Sequence, residues 1–149
     1  MEKDIVYTAA VLKLLGAGKL DTLPDRIKSQ KMQYFAQLFG VTPYYTYNLY
    51  TYGPYAPDLT KDLFALKNTK KPIQKISFAT EEMKERFSKL QSFIKGLTTK
   101  ELEHIATLHW LLSVVSLSEK DAKQKLYDLK KVTDSQYEAA REKIRGIAV

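Results

Sequence analysis

From Thr80 onward, hydroxyl side chains stand repeatedly just ahead of apolar residues spaced for a helix. Thr80 precedes Met83, Phe87, Leu90 and Ile94, and Gly96 follows. Thr98-Thr99-Lys100-Glu101 precedes Leu102, Ile105, Leu108, Leu112 and Val115. Ser118-Glu119-Lys120-Asp121 leads into Ala122, Leu126 and Leu129, and Thr133-Asp134-Ser135-Gln136 into Tyr137, Ala140 and Ile144. A Ser or Thr oxygen in this place accepts from a first-turn amide, and a Glu or Gln three residues on can return the bond. Apolar residues three and four apart then form one buried stripe. The second half of the chain is therefore expected to be helical.

The first half has its own helical signals. Ile5, Ala9, Leu12 and Leu15 recur at helical spacing, and Gly16 and Gly18 supply a stop. Leu23-Pro24-Asp25 reads as a helix start, with an acid at the positive end of the dipole. That helix carries Ile27, Lys31, Tyr34, Phe35 and Leu38, and Gly40 ends it. Pro57-Asp58-Leu59 opens another, with Leu59, Leu63 and Leu66 on one stripe.

Between these helices the pattern changes. Residues 43 to 57 hold six of the ten tyrosines, flanked by prolines. Aromatic and Thr enrichment predicts a strand over about residues 45 to 51. Odd positions give Tyr45, Tyr47 and Leu49, the more apolar face; even positions give Tyr44, Thr46, Asn48, Tyr50 and Tyr52, a wetter one. Gly53-Pro54 reads as a turn. Alternation over residues 73 to 78 suggests a second strand pairing with the first. The expected fold is mainly α, about six helices with a small two-stranded antiparallel sheet, in one domain over residues 1–149.

A chain of 149 residues can bury one real core. It has no cysteine, which excludes disulfides, a thiolate nucleophile and thiolate-bound zinc or iron–sulfur clusters. No stretch approaches the roughly 20 apolar residues of a spanning helix, so no membrane partner is expected. Met1-Glu2-Lys3-Asp4 carries two acids and does not read as a secretory signal. A cytoplasmic protein is expected.

No catalytic constellation is legible, and neither metal nor cofactor is expected. His104 and His109, five apart, lie about 140° apart around a helix and cannot chelate as an i,i+4 pair. One is expected at the surface and one half-buried. Glu81, Glu82, Glu85, Glu101 and Glu103 fall in or near first turns, where acids favour the helix dipole. Gly16-Ala17-Gly18-Lys19 lacks the spacing and the hydroxyl of a phosphate loop. The net charge of +7 permits nucleic-acid binding. Lys67, Lys70, Lys71 and Lys75 concentrate that charge near tyrosines able to stack bases. Arginine, the usual bidentate base reader, is scarce there. Tyrosine-rich surfaces also serve as protein contact anchors.

Two segments carry a family resemblance. Arg26-Ile27-Lys28-Ser29-Gln30-Lys31-Met32-Gln33-Tyr34-Phe35-Ala36-Gln37 resembles the "lqKllYfa" helix of the Panacea-type (SocA-like) antitoxin domain and its YwgA-like relatives. Tyr52-Gly53-Pro54-Tyr55-Ala56-Pro57-Asp58-Leu59 resembles their "YGPySpeL" turn and following helix. The resemblance spans about residues 5 to 67 and is weak after Thr80. Ala56 stands where the family often has a serine, and the strand is richer in tyrosine. The resemblance implies a prokaryotic, mainly helical, non-enzymatic module that neutralises a toxin or delivers one to a protease.

The expected partner is thus a protein, such as a toxin or a protease, met by Tyr50, Tyr52, Tyr55 and Asp58, with Lys70 and Lys71 at the edge. Gly53 and Pro54 are expected to shape the loop. The alternative is a winged-helix-like nucleic-acid binder using the same basic, tyrosine-rich face. No oligomeric state follows from the sequence.

Overall fold

The computed structural model describes residues 4–147. Met1 to Lys3, on which the reading of the N-terminus mainly rests, lie outside the described residues. Seven α-helices and one small sheet are present among the described residues. They are α1 (Ile5–Leu14), α2 (Leu23–Leu38), β1 (Asn48–Tyr50), β2 (Gly53–Tyr55), α3 (Pro57–Asn68), α4 (Glu81–Ile94), α5 (Thr99–His109), α6 (Glu119–Lys130) and α7 (Asp134–Arg145). The mainly α class expected from the sequence is the one found.

The caps do what their chemistry requires. Thr80, Thr98, Ser118 and Thr133 each accept from a first-turn amide of the helix they precede. Glu101 and Gln136 complete reciprocal capping boxes, with bonds of 2.9–3.1 Å.

Two helices form the centre. α5 lies against α2, α6, α7 and β2, and every residue from Leu102 to His109 is buried. α2 is likewise buried all round from Ser29 to Gln37. An amphipathic stripe cannot satisfy such positions, so polar side chains come inside with their partners. His109 Nδ1 and the Tyr34 hydroxyl share a 2.6 Å hydrogen bond. Both histidines are buried, His104 at 5% and His109 at 8% exposure, rather than one at the surface. Their helix is sandwiched, which a single-stripe reading of α5 does not anticipate. Burial holds both imidazoles below the ordinary histidine range, with Lys100 adding to the effect at His104.

α5 continues into a π-helical turn, Trp110–Val114, marked by a 3.0 Å bond from the Val115 N–H to the Trp110 carbonyl. Across this turn Leu111 is the buried residue, while Leu112 is half-buried and Val115 is 49% exposed. The expected stripe through Leu112 and Val115 is not kept, because the regular α-helical period that predicts it ends at His109.

The sheet also departs from expectation. β1 pairs with β2 in an antiparallel hairpin, Asn48 opposite Tyr55, Leu49 opposite Pro54 and Tyr50 opposite Gly53. Gly53 and Pro54 are strand residues, and Thr51-Tyr52 is the turn. Residues 73 to 78 form no strand and pair with neither. The strand expected over 45 to 51 is shortened because the backbone before Asn48 bonds to glutamines of α2 instead. Gln37 accepts from the Tyr45 N–H and donates to its carbonyl, both at 3.1 Å. Gln33 donates to the Pro43 carbonyl at 3.0 Å. Further on, Gln30 accepts from the Ala56 N–H and donates to its carbonyl, both at 2.9 Å. Gln30, Gln33 and Gln37 recur on one face of α2 and replace a neighbouring strand. The extended chain keeps its alternation: Tyr45 and Tyr47 are buried, and Tyr44 and Tyr50 are exposed.

Candidate functional site

The hairpin is held to the helices through its own carbonyl oxygens. Lys31, from α2, donates to the Pro54 carbonyl at 2.6 Å. Lys130, from the end of α6, donates to the Thr51 carbonyl at 2.6 Å and to Glu103 at 2.7 Å. The Glu103 and Lys130 side chains are 4% and 6% exposed, so this is a buried ion pair. Lys100 reaches the other Glu103 oxygen at 3.5 Å. Breaking one partner of such a pair leaves an uncompensated buried charge and costs about 3–5 kcal/mol.

Lys31 is different. It is 1% exposed, and among the described residues no carboxylate forms an ion pair with it. Burial pulls its ammonium down to about 7, helped by the Lys130 charge and opposed by Glu103. Lys31 stands among the apolar residues of α2, a cation in a buried stripe.

Gly53 explains how the hairpin comes so close. Its φ is +89°, and a Cβ placed on it would stand 2.6 Å from Thr107 Oγ1 and 3.4 Å from Lys31 Cε. Both the dihedral and the space require glycine. The two segments that carry the family resemblance thus meet face to face: Gln30 holds Ala56 and Lys31 holds Pro54. From the chain between them, the Tyr47 hydroxyl donates to the Gln30 carbonyl at 3.2 Å.

Beside the hairpin lies a cleft of about 270 Å³. One wall is the face of α2 carrying Leu23, Arg26, Ile27 and Lys31. The other is Tyr50, Thr51, Tyr52 and Tyr55. No acid is among these residues. Tyr50 is 50% and Tyr52 43% exposed. Tyr55 is half-buried, donates to Thr60 Oγ1 at 3.0 Å and meets the Tyr50 ring edge-on at 5.5 Å.

The other expected contact residues are placed elsewhere. Asp58 is exposed in the first turn of α3 and adds negative charge near Tyr45, whose phenol is raised chiefly by burial. Lys70 and Lys71 lie beyond the far end of α3, a 12-residue helix and so about 18 Å long. They line a separate cleft with Leu20, Leu63 and Leu66, where Lys67 pairs with Asp21 at 3.0 Å. The structure therefore unites Tyr50, Tyr52 and Tyr55 but not Lys70 and Lys71 with them. Arg26, Lys31, Glu103 and Lys130 belong to the site, and the sequence reading picks none of them as a contact residue.

Among the described residues no group of three or more His, Asp or Glu side chains could hold a metal ion. No helix among them is long and apolar enough to cross a membrane. No protein-family model, curated protein or solved structure matches the chain.

Proposed function

We propose that the chain is a non-enzymatic protein-binding regulatory module, of the antitoxin or proteolytic-adaptor kind implied by its sequence resemblance, acting in a prokaryotic cytoplasm. The observation that carries this reading is the pair of exposed tyrosines, Tyr50 and Tyr52, presented on a hairpin anchored by Lys31 and Lys130 beside an acid-free cleft. Rigid aromatic side chains lose little entropy on contact and make effective anchors. The occupant is an acidic protein segment with an apolar or aromatic side chain. Charge complementarity to a chain of net charge +7, and to Arg26 and Lys31 in particular, selects it. The separation of Lys70 and Lys71 from the tyrosines weighs against the nucleic-acid alternative, which needs stacking rings and cations interleaved along one strand.

Panning a random peptide display library on the protein tests the reading. Peptides pairing an aromatic or branched residue with Asp or Glu are expected to be enriched. Tyr50→Ala and Tyr52→Ala are expected to lose them while remaining folded. Enrichment that ignores both substitutions contradicts the reading.

A further inference from the structure

Resting on that reading, we propose that the cleft between α2 and the hairpin is a carboxylate-anchoring site, in which Lys31 and Arg26 take an acidic side chain of the docking segment against the paired rings of Tyr50 and Tyr55.

The argument begins with charge. Glu103 is the carboxylate nearest in effect to Lys31, and its two oxygens are already taken by Lys130 and Lys100. Lys31 spends one donor on the Pro54 carbonyl and has no ion-pair partner among the described residues. Arg26 spends one donor on the Leu20 carbonyl at 2.9 Å, leaving the rest of its fork. The two cations are five residues apart on α2, about 140° around it, and both line the one cleft. The groups around Lys31 from the surrounding elements are Glu103 on α5, Lys130 on α6, the Tyr50 and Tyr55 side chains that line the same cleft, and the unpartnered Oγ1 of Thr107. None of them supplies an unshared negative charge.

Size agrees with a side chain rather than a larger ligand. Pockets for drug-sized molecules run from about 300 Å³ upward, and this cleft is about 270 Å³. Its tyrosine walls suit the methylenes or ring next to the carboxylate.

A proton accompanies the ligand. Burial brings the Lys31 ammonium down to about 7, so near that pH it is only partly protonated. An arriving carboxylate favours the ammonium, so binding takes up a proton whenever Lys31 starts deprotonated. Affinity then falls as pH rises above about 7, by up to tenfold per pH unit for one linked proton.

Phenylacetate is the probe, with phenylacetamide as its uncharged equal in shape. NMR of the lysine 13Cε signals follows the Lys31 titration, and amide shifts of Tyr50 and Tyr55 follow occupancy. Phenylacetate is expected to shift the Tyr50 and Tyr55 amides and to raise the Lys31 midpoint. The amide should bind at least tenfold more weakly, and phenylacetate should weaken from pH 7 to pH 9. Arg26→Gln, away from the buried core, is expected to lose several-fold in affinity; Lys31→Met removes the pH dependence where it folds. Equal binding of acid and amide, or an unmoved Lys31 midpoint, overturns the proposal. Display peptides fused through their C-termini offer no free terminal carboxylate, so enriched Asp or Glu identifies a side chain as the source. If phenylacetate fails while such peptides still depend on Tyr50 and Tyr52, the carboxylate anchor is wrong and the docking surface stands. If the peptides ignore Tyr50 and Tyr52, the docking surface itself is wrong.

Discussion

A Cβ on Gly53 would stand 2.6 Å from Thr107 Oγ1, so the hairpin touches the central helix at the one residue type that has no side chain. Thr107 is fully buried and branched at Cβ, and α5 around it is buried on all sides, so it has nowhere to retreat. With φ at +89°, Gly53→Ala meets both strain and a clash, and is expected to destabilise by about 2 kcal/mol or more. Adding Thr107→Ala should recover the clash and leave the dihedral strain. Thermal melts of the single and double variants check this; an unchanged melting temperature for Gly53→Ala refutes the close approach.

The alternation through the tyrosine segment predicts opposite outcomes for neighbouring residues. Tyr47 is 8% exposed, packs edge-on against Tyr34 at 5.3 Å and bonds to the Gln30 carbonyl. Tyr47→Ala should cost about 3 kcal/mol or more, as large buried truncations do. Tyr50→Ala and Tyr52→Ala should stay within about 1 kcal/mol of the parent. Denaturant unfolding measures all three, and equal losses would make every one of these tyrosines core.

This parity was legible in the sequence because side-chain direction in extended chain depends only on backbone geometry. The capped helices were legible for a similar reason: Thr98 with Glu101 and Thr133 with Gln136 are local signals that tertiary packing had no cause to override. The pairing of residues 73 to 78 with the tyrosine strand was not found. Three glutamines of α2 supply the bonds a strand would have made, and a Gln in a helix announces nothing of the kind. The all-round burial of α2 and α5 was hidden too, since Lys31, Glu103 and His104 look like solvent-facing residues until their neighbours are in place. The tyrosines and lysines, close in sequence, are parted by the length of α3.

Gln30 carries a prediction of its own. It accepts from the Ala56 N–H, donates to the Ala56 carbonyl and reaches Thr60 Oγ1 at 2.8 Å. Gln30→Ala strands both backbone groups in a buried place, at about 1–3 kcal/mol each. A loss of about 3 kcal/mol is expected in chemical denaturation. Gln30→Glu keeps the acceptor and loses the donor, so it should still be destabilising. A neutral Gln30→Ala would mean that the extended segment is fastened by other means.

The titration of Lys31 sets a pH dependence of stability. Its ammonium is at about 7 in the folded protein against an ordinary 10.5. Between those values the unfolded chain binds more protons, so stability rises with pH across that window, and the full penalty of the buried charge is present below it. From pH 7 to pH 9 the gain from this group is about 2 kcal/mol at 1.36 kcal/mol per unit. Lys31→Met should flatten that rise. Urea unfolding at several pH values checks the slope, and a wild-type curve as flat as the variant's removes the claim that Lys31 is buried without a counter-ion.

The central claim is that the hairpin face is a protein docking surface. Its most direct measurement is the affinity of one display-enriched acidic peptide for the parent and for the folded Tyr50→Ala/Tyr52→Ala double variant, at low and high salt. The account predicts at least a tenfold loss in the double variant. It predicts a salt dependence far shallower than counterion release gives for a phosphate backbone, where the slope of log K against log salt grows by about one for each phosphate neutralised. Peptide binding that is indifferent to both tyrosines, or an oligonucleotide that binds instead with the steep salt dependence, contradicts it.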